Sequence, residues 1–196
     1  LLLRASDGYL DEGLWFADRT TGDAHQLTIE AAGTPIATAT LPSGVAVFST
    51  NTGIEEGMEL WVTDGTTVGT QLLIELSPGG EHSIVSGPIE WQGVAWFMGN
   101  TPANGAELWT TDGTPEGTSL YHEFEPGPDG AGYAYFHEAG GQLFVSTRVF
   151  GLSRLFAIPS VGVAPIELAV LAGGPSPPLV EHALEFQGEL WFAADD

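Results

Sequence analysis

The chain has 196 residues, 43% of them hydrophobic, with 26 Asp plus Glu against four arginines (Arg4, Arg19, Arg148, Arg154) and no lysine. That is enough apolar material for a sizeable core. A formal charge of −22 repels phosphate backbones and anionic lipid, so nucleic acid and membrane insertion are set aside as partners, whereas cations, neutral glycans and basic protein patches are not. The lack of cysteine removes disulfides, thiolate metal sites and cysteine nucleophiles.

The 27 glycines and 13 prolines, set among many Trp, Phe, Val and Thr, predict short strands joined by tight turns. The opening "LLLRAS" reads as a strand, too short for the apolar region of a signal peptide; a signal for export is expected outside this chain. The loop "SDGYLDEG" follows, carrying Asp7, Asp11 and Glu12, and then "GLWFADRTTG" with Trp15. "GVAVFST" from Gly44 leads into a second acidic loop, "TNTGIEEGM", with Glu55 and Glu56. After it comes "ELWVTDGTTVGT", residues 59 to 70, which contains Trp61, Asp64 and Gly65. The next copy supplies four predicted strands, "IVSGPIEW", "VAWFMG", "ELWTTD" and "TSLYHEF", with Trp109, Asp112 and Gly113 in the third and in the turn after it. A further copy holds "GQLFVSTR" and the degenerate "RLFAIPSVGV", and the chain closes with "PLVEHALEF" and "GELWFAADD".

These segments repeat. The glycines that open the second strand, Gly44, Gly93, Gly141 and Gly188, lie 49, 48 and 47 residues apart, and Trp15, Trp61, Trp109 and Phe156 fall in register. A four-stranded antiparallel unit recurring at about 48 residues predicts an all-β, β-propeller-type array of blades. The 196 residues form a single repeat domain of about four blades plus one extra strand. The surplus strand points to part of a longer propeller, the alternative being a closed four-bladed ring. Trp15, Trp61 and Trp109 are expected to be buried between blades, and Asp64-Gly65 and Asp112-Gly113 to lock the turn between the third and fourth strands. One Asp per turn is too few oxygen donors for calcium, so these aspartates read as turn residues.

The pattern resembles the tandem ELWxxDGTxxGT repeats of bacterial secreted and cell-surface proteins, carried here by "ELWVTDGTTVGTQLLIELSPGG", "ELWTTDGTPEGTSLYHEFEPG" and the "GVAWF" and "GELWF" strands. The resemblance implies export, a propeller-like scaffold and an extracellular or cell-surface location, and it brings no catalytic residue.

Chemistry is thinly represented. His25, His82, His122, His137 and His182 fall at scattered places in the repeat, there is no G-x-S-x-G elbow, and "GPDGAG" reads as a turn without a following helix. Glu59 and Glu107, like Glu75 and Glu123, are equivalent by repetition. The loops between the second and third strands of each copy, with the connections "SPGGEHSI", "EPGPDGAG" and "LAGGPSPP", vary while the strands hold register, as on a scaffold with a binding face. The expected function is a non-catalytic recognition or assembly module. It binds protein or glycan on that face, with Asp7, Asp11, Glu12, Glu55 and Glu56 as the candidate contacts. A carbohydrate-active enzyme using paired carboxylates is the alternative, and self-association through the terminal strands "LLLRAS" and "LWFAADD" is a third reading. No cofactor is expected; weak calcium binding between the acidic loops is suggested by charge alone, without any D-x-D-x-D-G run.

Overall fold

The computed structural model describes residues 2–6, 12–17, 21–27, 35–51, 57–79, 82–173, 180 and 183–192. Among them there is strand, turn and loop but no helix, and the repeats of the sequence become antiparallel sheets. The first sheet runs β1 (Leu2–Ser6), β2 (Glu12–Ala17), β3 (Ala24–Leu27). The second runs β4 (Pro35–Thr40), β5 (Ala46–Asn51), β6 (Met58–Thr63), β7 (Gln71–Ile74). The third comprises β8 (Ile84–Trp91), β9 (Val94–Thr101), β10 (Gly105–Thr111) and β11 (Ser119–His122), and the fourth β12 (Ala134–Ala139), β13 (Gln142–Val149), β14 (Leu152–Ile158) and β15 (Ile166–Gly173). A hairpin of β16 (Ala183–Phe186) and β17 (Glu189–Phe192) ends the described chain. In every sheet the spatial order of the strands follows the order of the sequence.

The hairpin turns explain the periodic glycines. Gln92-Gly93, Gly140-Gly141 and Gln187-Gly188 join the first two strands of successive copies, and both residues of each pair have positive φ (51° and 87°, 57° and 73°, 55° and 81°). That is the geometry of a two-residue type I′ turn, whose twist matches that of the strands it joins. That fixes the register of the first two strands of these copies. Between the second and third strands, Leu3 lies opposite Trp15, Phe48 opposite Trp61 and Val145 opposite Phe156, so the aromatic column of the sequence is one column of cross-strand pairs.

The chain separates into two compact units, each described by itself. The first comprises Leu1–Ile84, Pro88–Phe97 and Thr110–Ser119, and the second Val85–Gly87, Met98–Trp109 and Leu120–Asp196; residues of the third sheet belong to both. In the first unit, alternation puts Phe16 and Leu27 on one face of β1–β3, and that face packs on Phe48 and Trp61 of the second sheet. Trp61 is left 8% exposed. In the same unit Trp91 and Trp96, which sequence reasoning did not single out, are buried with ring centroids 5.7 Å apart, and the Trp96 indole N–H donates to the Trp91 carbonyl at 3.1 Å. In the second unit Phe124 and Phe156 pack at 4.5 Å, placing the ring at the Phe156 position against the connection that follows β11.

The expected burial of all three motif tryptophans is corrected in part: Trp61 is buried, but Trp15 and Trp109 are only half-buried. The column places the ring on the packing face, and the side chains that the neighbouring sheet lays over it decide its burial. Over Trp61 these are Phe16 and Leu27. Among the described residues the Trp61 indole N–H has no acceptor, and the ring serves as apolar bulk. Trp61→Ala is expected to cost about 3–5 kcal/mol in urea unfolding, and Trp61→Phe less, because the smaller ring leaves a smaller cavity.

Candidate functional site

The repeated Asp-Gly-Thr turns come first, since they carried the strongest sequence signal. In the second sheet Asp64 Oδ1 accepts the Thr66 backbone N–H at 2.9 Å and the Thr66 hydroxyl at 2.7 Å, and Thr66 Oγ1 in turn accepts the Gly69 N–H at 2.9 Å. The Thr70 hydroxyl donates to the Thr66 carbonyl at 2.6 Å. Thr70 has no other proton to give, so in its 2.6 Å contact with Thr63 the donor is Thr63, whose oxygen accepts the Gly65 N–H at 3.0 Å. Each of the three hydroxyls therefore both gives and takes one bond. The Asp112 turn repeats every distance within 0.1 Å through Thr111, Thr114, Gly117 and Thr118.

Both glycines of each motif are sterically required. A Cβ on Gly69 would lie 2.0 Å from the Asp64 carboxylate, and one on Gly117 2.1 Å from that of Asp112. Gly65 (φ 91°) faces the Phe16 ring, 2.6 Å from where its Cβ would be, and Gly113 (φ 92°) faces Leu41 and Val45. Hydrogen bonds from Thr66 hold the Asp64 carboxyl below its ordinary value. Asp64 and Asp112 are thus occupied in their own turns, as the sequence suggested. Thr63 and Thr111, the residues before each Asp, complete the relay and were missed, although "VTDGT" and "TTDGT" both contain them. Thr63→Val, by removing a buried hydroxyl that satisfies two partners, is expected to lower stability by about 1–3 kcal/mol in urea unfolding.

The loop end of the second unit is the other candidate surface. The β9–β10 loop lies against the connection from β11 to β12: Ala106 bridges Gly130 in parallel, and the Ala131 N–H donates to the Ala106 carbonyl at 2.8 Å. Approach is so close that a Cβ on Gly105 would lie 2.6 Å from the Gly130 nitrogen. In the first unit the same tie is made by a side chain, Met58 N–H donating to His82 Nδ1 at 2.8 Å, which requires the tautomer protonated on Nε2.

Three carboxylates bind these loops together. Asn104 Nδ2 donates to Glu123 Oε1 at 2.5 Å, and the Phe150 N–H, in the β13–β14 turn, donates to Glu125 Oε2 at 2.5 Å. Glu107, on β10 and wholly buried, accepts the Phe124 N–H at 2.6 Å and the Glu125 N–H at 2.9 Å, where the chain leaves β11. One repeat earlier the equivalent N–H groups of Leu76 and Ser77 both donate to Ser83 Oγ, at 3.2 and 3.0 Å. The residue 48 positions after Ser83 is Ala131, which has no side-chain oxygen, and Glu107 supplies the acceptor instead. Thr147 Oγ1, 3.0 Å from each, joins the carbonyls of Ala131 and Tyr133 to β13. On this braced surface Tyr133 is 49% exposed, set edge-on to Tyr135 at 5.1 Å, and Phe150 is 67% exposed.

Burial raises the Glu107 carboxyl to about 7, against the pull of its two backbone donors and with further help from the charges of Glu123 and Glu125. Burial likewise holds His122 below the ordinary histidine value, despite Glu123 beside it. Glu59, the repeat equivalent of Glu107, is also buried, so neither carboxylate of that pair can reach a substrate. Of the acidic contacts expected on the loop face, Asp7, Asp11, Glu55 and Glu56 lie outside the described residues. Glu12 is in β2 opposite Ser6, and its side chain is not among those described. Among the described residues no group of three or more His, Asp or Glu is placed to hold a metal ion, and no helix is long and apolar enough to cross a membrane. Compared with known proteins, the chain matches no protein-family model and no curated protein.

The raised Glu107 value has a definite pH consequence. Between its ordinary 4.5 and about 7 the folded protein holds a proton that the unfolded chain has released, so this group's contribution to stability is full below 4.5 and declines as pH rises through 7. Urea unfolding of the wild type and Glu107→Gln at pH 5 and pH 8 is expected to show a steeper loss with pH in the wild type, by up to about 3 kcal/mol. At pH 5 the variant is the weaker protein, because its amide NH2 cannot accept one of the two backbone N–H groups.

Proposed function

We propose that this chain is an exported, non-catalytic recognition module in which the repeated sheets are blades of a β-propeller-type scaffold, and that the loop end of the third and fourth sheets binds a neutral glycan. The observation that carries this reading is the pair of exposed aromatic rings, Tyr133 and Phe150, on loops held by hydrogen bonds beside Asn104, Glu123 and Glu125. Aromatic faces suit the C–H surfaces of a sugar, and carboxylate and amide oxygens suit its hydroxyls. A formal charge of −22 disfavours acidic sugars and favours neutral ones. Preformed loops lower the entropic cost of binding. Export and a cell-surface setting rest on the ELWxxDGTxxGT resemblance and on the acidic, lysine-free composition.

A glycosidase would need two carboxylates open to substrate on either side of a glycosidic bond. Glu59 and Glu107 are enclosed, and Glu123 and Glu125 are engaged in bracing the loops, which weighs toward binding over turnover. A glycan array probed with the 196-residue protein is expected to show binding to neutral oligosaccharides. Tyr133→Ala and Phe150→Ala should each weaken it about tenfold, the equivalent of about 1.4 kcal/mol, with an unchanged melting midpoint. Absence of any glycan binding, or equal binding by both variants, would reject the reading.

A further inference from the structure

Glu107 stands where a strand of the scaffold meets the loop end. It lies on β10, wholly buried, and its two carboxyl oxygens take the N–H groups of Phe124 and Glu125, which follow β11. Each residue of that short strap carries the contact outward. Glu123 accepts Asn104 Nδ2 of the β9–β10 loop, the Phe124 ring packs on Phe156 of β14 at 4.5 Å, and Glu125 Oε2 accepts the Phe150 N–H of the β13–β14 turn. One buried carboxyl thus anchors the backbone of a strap whose side chains hold both loops, and the exposed Phe150 ring stands at the end of that series. All of these residues belong to the second compact unit.

The anchor is a group that changes charge, and its surroundings oppose the charged form. Burial outweighs the two backbone bonds, and Glu123 and Glu125 of the strap add like charge. His122, at the end of β11 beside Glu123, is held below the ordinary histidine value by burial and is neutral above pH 7. An ionised Glu107 is relieved by water, which reaches it when the strap lifts away from β10. The lifted strap therefore binds the Glu107 proton less tightly than the closed one. With the closed-state value raised from 4.5 to about 7, closure is favoured fully below 4.5 and loses ground as pH rises through 7. Lifting frees the Phe124 and Glu125 N–H groups and withdraws Glu125 from Phe150.

We propose that Glu107 is a pH-sensitive latch for the loop end: protonated, it keeps the strap closed and Phe150 in its binding position, and ionised, it releases the strap and weakens glycan binding. The ligand rests on the neutral-glycan reading above; the latch itself does not. Glu107 is on this view a positioning residue, acting on Phe150 through Glu125. In the preceding copy the equivalent N–H groups of Leu76 and Ser77 are capped by the Ser83 hydroxyl, which does not titrate, and they serve as an internal control.

Hydrogen exchange of the purified 196-residue protein, followed by NMR from pH 6 to pH 9 without glycan, tests the latch. Protection of the Phe124 and Glu125 amides, taken relative to the unstructured rate at each pH, is expected to fall by up to about tenfold per pH unit above 7, while Leu76 and Ser77 keep theirs. Glu107→Gln has no proton to lose, and its protection should not change with pH. Constant protection at Phe124 and Glu125 in the wild type overturns the proposal, as does a fall that persists in Glu107→Gln or is shared by Leu76 and Ser77. Should Glu107→Gln fail to fold, a carbon-13 titration of the wild-type Glu107 carboxyl decides: a midpoint that coincides with the loss of protection supports the latch, and one near the ordinary 4.5 overturns it. A neutral oligosaccharide should bind the wild type more weakly at pH 9 than at pH 6, in the ratio of the closed fractions that exchange reports, and should bind Glu107→Gln equally at both. Absence of glycan binding with the change in protection intact rejects the ligand and keeps the latch. Binding with constant protection rejects the latch and keeps the ligand.

Discussion

A threonine hydroxyl has one proton to donate, and much of this protein's order follows from that. In the turn after the third strand, Thr63, Thr66 and Thr70 are arranged so that each hydroxyl gives its proton to one oxygen and receives one from a neighbour. A relay of this kind has a single satisfied arrangement, so the turn is rigid, and rigidity there sets the register of the strands on either side. It also brings Gly65 face to face with Phe16 and Gly113 with Leu41 and Val45, close enough that only glycine fits without displacing them. The turn is therefore at once the end of one sheet and part of its packing against another.

Where that relay ends, a second requirement begins: backbone N–H groups that leave the ladder need acceptors. Successive repeats meet it by different chemistry, a serine hydroxyl at Ser83 and a buried carboxylate at Glu107. Divergence between copies of a repeat thus changes which group caps these N–H groups while leaving the strand framework alone, since both copies keep a buried glutamate, Glu59 and Glu107. The same applies to the loop tie, a histidine ring in one copy and a backbone bridge in the next.

The loop end and the last hairpin illustrate two ways in which copies of a repeated sheet come to differ. At the loop end, variable residues are braced by polar bonds and expose aromatic rings. On the hairpin, the variation lies in what covers the face, because Trp191 and Trp96 differ in environment and hardly at all in local structure. What the loops expose and what covers a sheet face therefore vary independently of the strand framework.

The sequence by itself determined the class, the repeat length and the strand order. Strand alternation and Gly-containing turns act locally, and the 48-residue echo carries them from copy to copy without reference to the rest of the chain. It also determined that Asp64 and Asp112 serve their turns, because Asp-Gly-Thr places an acceptor two residues before a donor. Which tryptophan of the aromatic column is buried was left to tertiary structure, since Trp15, Trp61 and Trp109 share one motif and differ only in what a neighbouring sheet lays over them. What Glu107 binds was equally out of reach of local reading: its partners, Phe124 and Glu125, lie 17 and 18 residues away. Long-range contacts, and not the motif, assign each copy of a repeat its separate task.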